Sequence, residues 1–240
     1  MCVISQKKTV STMTLKHRLL QLVLLFLFGS QTSFFAQKKK DVFQGQLTYR
    51  ITICDTSLRK FIPVNYMIVV TDDTLLRIEN NTERFGRQTV IKHMSFNKSY
   101  LLLETPTQKY AVQTNHNTEK KDSSAYQFKK KWGKVKICGL KAKRLSVSHP
   151  EFPEELPFFY FKRLSPKYLN SFENFPGLPV IYYVASTDGI FLYELIDIKR
   201  DTPNHDLFGI PSDYKKVSFD DFLKEILKEQ GNQGEIENEK

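Results

Sequence analysis

The sequence predicts a mainly β (α+β) fold: a single curved antiparallel sheet, or an incomplete β-barrel, of about eleven strands, with one or two helices on its concave face. Three observations predict it. Short runs along the chain alternate apolar and polar residues with a period of two. The 240 residues include 19 Phe and 11 Tyr against one Trp, and Phe and Tyr favour strands. The runs are separated by short polar turns rather than by segments long enough for crossover helices. With 40% hydrophobic and 26% charged residues, the chain can bury a sizeable core, and 10 Gly and 10 Pro exclude collagen-like and low-complexity classes.

Residues 1–36 read as a secretory signal peptide. Lys7, Lys8, Lys16 and Arg18 form a positive region, residues 19–28 are an apolar run interrupted only by Gln21, and Ala36 offers a small residue for cleavage. Met13 is an alternative start, with the same features behind it. The apolar run is about half the ~20 residues of a spanning helix, and no later stretch reaches that length, so no transmembrane span is expected in the mature chain. An uncleaved anchor is the competing reading. Residues 37–44, which carry Lys38, Lys39 and Lys40, are expected to be a flexible N-terminus.

In the run 46–54, Leu47, Tyr49, Ile51 and Ile53 alternate with Thr48, Arg50 and Thr52, as in a half-buried strand. Strands follow at 65–71, 75–79, 88–94, 99–104 and 109–114, with Asp72-Asp73 and Phe96-Asn97-Lys98 as turns. Residues 115–131 lack an apolar period and are expected to form an exposed loop. Strands resume at 134–138 and 140–147 around Gly139, then at 158–161, 180–185 and 190–198, the last two joined by a Ser-Thr-Asp-Gly turn. Helices are expected at 166–172 and 219–228, the second with Ser218 as N-cap and Phe219, Phe222, Leu223, Ile226 and Leu227 on one face. No repeat or linker divides the chain, so residues 45–230 are expected to form one domain, with 231–240 a disordered tail.

Removing the four basic residues of the leader lowers the formal net charge from +10 to +6. This balance suits anionic surfaces, while export argues against nucleic acid as the partner. Cys2 would leave with the leader, and the remaining pair, Cys54 and Cys138, is the candidate disulfide of an oxidising compartment. It would close a loop of about 84 residues and contribute roughly 4 kcal/mol in the chain-entropy picture. Two free thiols are the alternative, since the cysteines need not lie on neighbouring strands.

Catalytic and cofactor templates are missing: there is no HExxH, GxSxG, GxGxxG, Walker A or CxxC. His93, His116, His149 and His205 lie on separate segments without metal-ligand spacing. The expectation is a non-enzymatic protein without metal or cofactor. Two surface features stand out instead. Lys129, Lys130, Lys131, Lys134, Lys136, Lys141, Lys143 and Arg144 place eight positive charges in sixteen residues with no acidic one, and alternation with Val135, Ile137 and Ala142 puts Lys134, Lys136, Lys141 and Lys143 on the outer face of one hairpin. They form either a docking ribbon for anionic lipid or glycolipid or a solvated face with anti-aggregation lysines. The runs 156–161 and 180–184 are apolar at successive positions, so both sheet faces need cover there, from a helix or from an apolar ligand.

Asn174-Phe175-Pro176-Gly177-Leu178-Pro179-Val180-Ile181 resembles the GLPGLI-type segment of uncharacterised exported envelope proteins. Phe208-Gly209-Ile210-Pro211-Ser212-Asp213-Tyr214, followed by an amphipathic helix, is similar to the closing segment of the same LolA-like group. The resemblance implies a LolA-like fold, an incomplete antiparallel barrel whose concave face is lidded by helices and, in the lipoprotein carriers, receives acyl chains. Phe175 and Pro179 depart from the segment's pattern, so the wider group fits better than the GLPGLI type itself. Pro176 and Gly177 are expected to set a structural turn where a Cβ would be opposed.

The expected function is therefore an exported binding module, periplasmic, outer-envelope associated or extracellular. It would carry or sense a lipid or lipoprotein acyl chain in a cavity lined by Tyr49, Phe158, Tyr160, Tyr183 and Tyr193. The alternatives are an envelope scaffold docking through the basic hairpin and a hydrolase with a dispersed site.

Overall fold

A computed structural model describes residues 40–82, 86–96, 98–105, 107–115, 125–169, 172 and 175–237. The leader expected over 1–36, the lysines at 38–39, His116 and most of the loop expected before residue 127 lie outside them. The strands are β1 (Gly45–Ile53), β2 (Asn65–Thr71), β3 (Leu75–Thr82), β4 (Gly86–His93), β5 (Lys98–Glu104), β6 (Lys109–Asn115), β7 (Gln127–Ile137), β8 (Leu140–Ser148), β9 (Leu156–Phe161), β10 (Leu178–Ser186), β11 (Gly189–Lys199) and β12 (Lys215–Ser218), followed by helix α1 (Phe219–Glu237).

All twelve strands form one open, curved sheet in the order β12-β6-β5-β4-β3-β2-β1-β11-β10-β9-β8-β7. Two meanders, β1 to β6 and β7 to β11, are sewn together by the antiparallel pairing of β1 with β11. The expected alternation holds in β1, where Leu47, Tyr49, Ile51 and Ile53 are buried. Turn chemistry is local: Asp72 Oδ1 accepts hydrogen bonds from the N–H groups of Thr74 (2.8 Å) and Leu75 (2.6 Å) between β2 and β3. Ser186 pairs with Gly189 across the β10–β11 turn, as the Ser-Thr-Asp-Gly signal predicts.

The main core lies on the β2, β1, β11, β10, β9 and β8 part of the sheet. Its cover is the connection between β9 and β10. From it Leu164, Tyr168, Leu169, Phe172 and Phe175 enter the core, and Leu178 N donates to Leu164 O at 3.0 Å where β10 begins. Tyr168 is fully buried; its hydroxyl donates to the Asp73 carboxylate and accepts from Phe43 N at 2.9 Å, which ties the connection to the β2–β3 turn and to the strand entry. Curvature lets the Tyr49 hydroxyl reach past β11 to donate to Pro179 O at 2.8 Å. A smaller cluster of Ile91, Leu102 and Ala111 lies on β4 to β6, against Ile210 and Tyr214.

Several expectations are corrected. The sheet has twelve strands, and it is mixed, because β12 runs parallel to β6. Strand β7 begins at Gln127, inside the stretch read as loop, because its lysine-rich sequence hides the strand period. The helix expected at 166–172 is a single 3-10 turn, Pro166–Tyr168. Helix α1 is capped as expected, with Asp221 N donating to Ser218 Oγ at 3.1 Å, but it packs on β6 and β12 rather than over the aromatic strands. Phe222 meets the Tyr110 ring at 5.2 Å, while Phe219, Leu223 and Leu227 stay exposed. The helix runs on to Glu237, through residues read as tail. Residues 40–44 are tied down rather than loose: Phe43 is fully buried, and Asp41 N donates to Arg163 O at 2.7 Å.

Cys54 and Cys138 are both free thiols. Cys54 N donates to Ile190 O, whereas Cys138 Sγ donates to Leu195 O, so the two attach to β11 five residues apart. At about 3.4 Å per residue that is roughly 17 Å, far beyond the ~7 Å limit on Cα separation for a disulfide. The even cysteine count misleads because it carries no information about strand position.

Candidate docking hairpin and the aromatic interior

The β7–β8 hairpin forms one edge of the sheet. It turns at Cys138 and Gly139, whose φ values of 46° and 76° are the left-handed pair that a tight two-residue hairpin turn requires. The contact of Cys138 Sγ with Leu195 O, at 3.6 Å, fixes the tip. At the other end Phe128 packs against Phe175 and Phe172 (5.2 and 6.4 Å between centroids). The ribbon is thus held at both ends.

Between these anchors the register pairs Lys134 with Lys143 and Lys136 with Lys141, so four ammonium-bearing side chains share one face as two successive like-charge pairs. Direct opposition of like charges destabilises a sheet. A bulge between Lys130 and Lys134 breaks the row, and before it Lys129 and Lys130 face Ser146 and Leu145. The eight cations therefore do not all share one face, while Lys134, Lys136, Lys141 and Lys143 do. Among the described residues, Lys129 alone of the eight has a carboxylate partner, Glu155, at 2.5 Å. Glu155 also accepts from Ser146 Oγ at 2.7 Å, and these two hydrogen bonds hold its carboxyl below the usual range. Lys143 is half-buried and the other seven are exposed.

The sequence reading passed over Trp132, the chain's single tryptophan, which sits inside the bulge and is 100% exposed. Its position within a lysine run was the available signal.

The five aromatic candidates do come together, but in a filled interior. Tyr49 and Phe158 are fully buried, Tyr160 is buried, and Tyr183 and Tyr193 are half-buried against the same core. Tyr182 stacks on Tyr193 at 4.8 Å and meets Tyr49 edge-on at 6.0 Å. Phe172 and Phe175, from the β9–β10 connection, approach Phe158 at 6.0 and 6.3 Å, and Phe175 meets Tyr160 at 5.8 Å. Burial pushes the Tyr49, Tyr160 and Tyr193 phenols above their ordinary values. Among the described residues, these aromatic side chains pack directly against one another. Surface clefts among the described residues include one of about 540 Å³ between α1 and β12, one of about 350 Å³ beside Arg50 and Arg59, and one of about 230 Å³ beside Arg77 and Tyr214.

Gly177 lies in the bend that leads into β10. A Cβ there would stand 2.2 Å from Phe161 O, so close backbone approach, not a left-handed φ, excludes side chains. The carbonyl of Pro176 accepts from Lys40 Nζ at 2.5 Å. Each described histidine packs on a phenylalanine: His93 on Phe96, His149 on Phe152 and His205 on Phe208. Among the described residues no group of three or more His, Cys, Asp or Glu is placed to hold a metal ion, and no helix is long and apolar enough to cross a membrane.

No protein-family model and no curated protein matches the chain. Among solved structures, a chain of PNGF-II crystallised in space group P21 is similar at 16% identity with a TM-score of 0.44. The likeness covers 76% of the present chain and 33% of that one, so the present chain spans about a third of its length.

Proposed function

We propose that the protein is an exported, non-enzymatic envelope module of LolA-like build that docks on anionic surfaces through the β7–β8 hairpin. The observation that carries this reading is the pair of cross-strand lysine couples, Lys134 with Lys143 and Lys136 with Lys141, beside four further cations of which one is neutralised. Isolated, these couples repel one another. An anionic surface turns the same arrangement into attraction. The LolA-like reading draws support from the open curved sheet with a covered interior and from the landmark residues 175–181, which end that cover and start β10. An acyl-carrying role on this scaffold would require Leu169, Phe172 and Phe175 to leave the core, and their packing favours docking over carriage.

Co-sedimentation with anionic vesicles at low and physiological salt tests the proposal. Each lysine near such a surface contributes about 1 kcal/mol, so replacing Lys134, Lys136, Lys141 and Lys143 by Gln should weaken binding by several hundredfold. Raising ionic strength shortens the screening length from ~30 Å at 0.01 M to ~8 Å at 0.15 M and should weaken the wild type in parallel. Binding that ignores both salt and the four substitutions refutes the proposal.

A further inference from the structure

The chemistry of the hairpin also selects among anionic partners. We infer that its partner is a lipid bilayer bearing anionic headgroups, with Trp132 seated at the boundary between headgroups and acyl chains; this rests on the docking role proposed above. Trp132 is fully exposed on an edge strand, and Lys129 to Lys131 precede it while Lys134 and Lys136 follow. An indole has an apolar body and one N–H donor, a combination that water satisfies poorly and the bilayer interface satisfies well. Flanking lysines can lay their aliphatic stems along the apolar boundary while their ammonium groups stay among phosphates.

The bulge supplies the projection. Residues 131–133 oppose Arg144 alone, and Gly133, at φ +134°, takes a backbone conformation that side chains oppose. The same bulge argues against an acidic protein as partner. Strand addition needs a regular row of free backbone groups, and here the edge is interrupted in its middle. Carboxylate recognition in protein interfaces also favours arginine, whose planar fork binds in two places, and interfaces are depleted in lysine; the ribbon has seven lysines and one arginine. Point charges without fixed geometry suit mobile headgroups.

Because Trp132 is the only tryptophan, the emission of the whole protein reports on this one position. The experiment follows tryptophan emission during titration with vesicles of phosphatidylglycerol in phosphatidylcholine, with pure phosphatidylcholine vesicles and polyglutamate as parallel arms and brominated lipids as depth-resolved quenchers. The expected result is a blue shift with the anionic vesicles only, quenching by shallow bromines, and binding weakened roughly fiftyfold by Trp132→Ala, as follows from removing about half of an indole surface from water. This variant should fold normally, since the side chain is fully exposed and buries no surface among the described residues. Salt-sensitive binding with unchanged emission and an unaffected Trp132→Ala leaves docking standing and overturns the seat for Trp132. Binding to polyglutamate without binding to vesicles overturns the bilayer as partner, and binding to neither polyanion overturns the docking role together with it.

Discussion

Phe172→Ala tests whether the β9–β10 connection fills the interior. Phe172 is 5% exposed, and its ring lies 5.2 Å from Tyr126, 5.4 Å from Phe175, 5.6 Å from Tyr182, 6.0 Å from Phe158 and 6.4 Å from Phe128. Truncation removes the transfer free energy of a buried ring and leaves a void that surrounding strands can collapse into only partly, a combined cost of about 3–5 kcal/mol for a buried phenylalanine. The aromatic contacts each add about 0.5–1.5 kcal/mol but share the same ring and do not sum, so about 4 kcal/mol is the expected loss. For a folded unit of this size 1 kcal/mol shifts Tm by about 2–4 °C, which gives a fall of about 8–16 °C. Urea unfolding should show a lower midpoint at an unchanged slope, since the surface exposed on unfolding is nearly the same. The void is apolar, so a benzene-sized ligand should bind the variant and recover part of the loss, while leaving the wild type unaffected. A loss under about 1 kcal/mol, or equal stabilisation of the wild type by the apolar probe, would refute a filled interior and return the acyl-carrier reading to first place.

Gly177→Ala should destabilise by about 3 kcal/mol or prevent folding, because the new methyl meets Phe161 O; Gly139→Ala, at φ +76° with open space around it, should cost only about 1–2 kcal/mol in the same unfolding assay. Reducing agent should leave the mass of the purified protein unchanged, and alkylation should modify exposed Cys138 before half-buried Cys54. Desolvation raises both thiols, helped at Cys138 by Asp197, so both should react more slowly at pH 8 than a free thiol and gain rate as pH rises. Desolvation pushes the Asp72 carboxyl up, but the N–H groups of Leu75 and Thr74, the Thr74 hydroxyl and nearby His205 outweigh it and hold it below 3.8. The stability it contributes is present above pH 3.8 and lost as pH falls through the lowered native value, so the gap between wild type and Asp72→Ala in acid titration should be constant at neutral pH and close in acid.

What the residues disclosed in advance follows a physical division. Alternation marks a strand when one face is buried and the other wet, as in β1, and the hairpins with polar turns were readable for the same reason. Strand β7 was half missed because nearly all its residues are exposed, so its sequence shows charge rather than period. Strand β12 is four residues long, too short for any period, and depends on its parallel partner β6 for identity. The candidate sites divide in the same way. The four ribbon lysines at 134, 136, 141 and 143 share a face because parity within a hairpin is a local property, and local properties are written in the sequence. The occupancy of the interior is not local. Whether Tyr49 and Phe158 face a cavity depends on where Phe172 and Phe175 go, and that is decided by a backbone bond between Leu178 and Leu164 and a hydroxyl of Tyr168 reaching Asp73, contacts between residues 14 and 95 positions apart. An aromatic-rich sheet face and an aromatic-rich connection are the same composition read twice; only their docking tells a receptacle from a core. In this protein the connection that could have served as a lid contributes Leu164, Tyr168, Leu169, Phe172 and Phe175 to the interior itself, and the charged edge with its exposed indole is the surface on which the docking proposal rests.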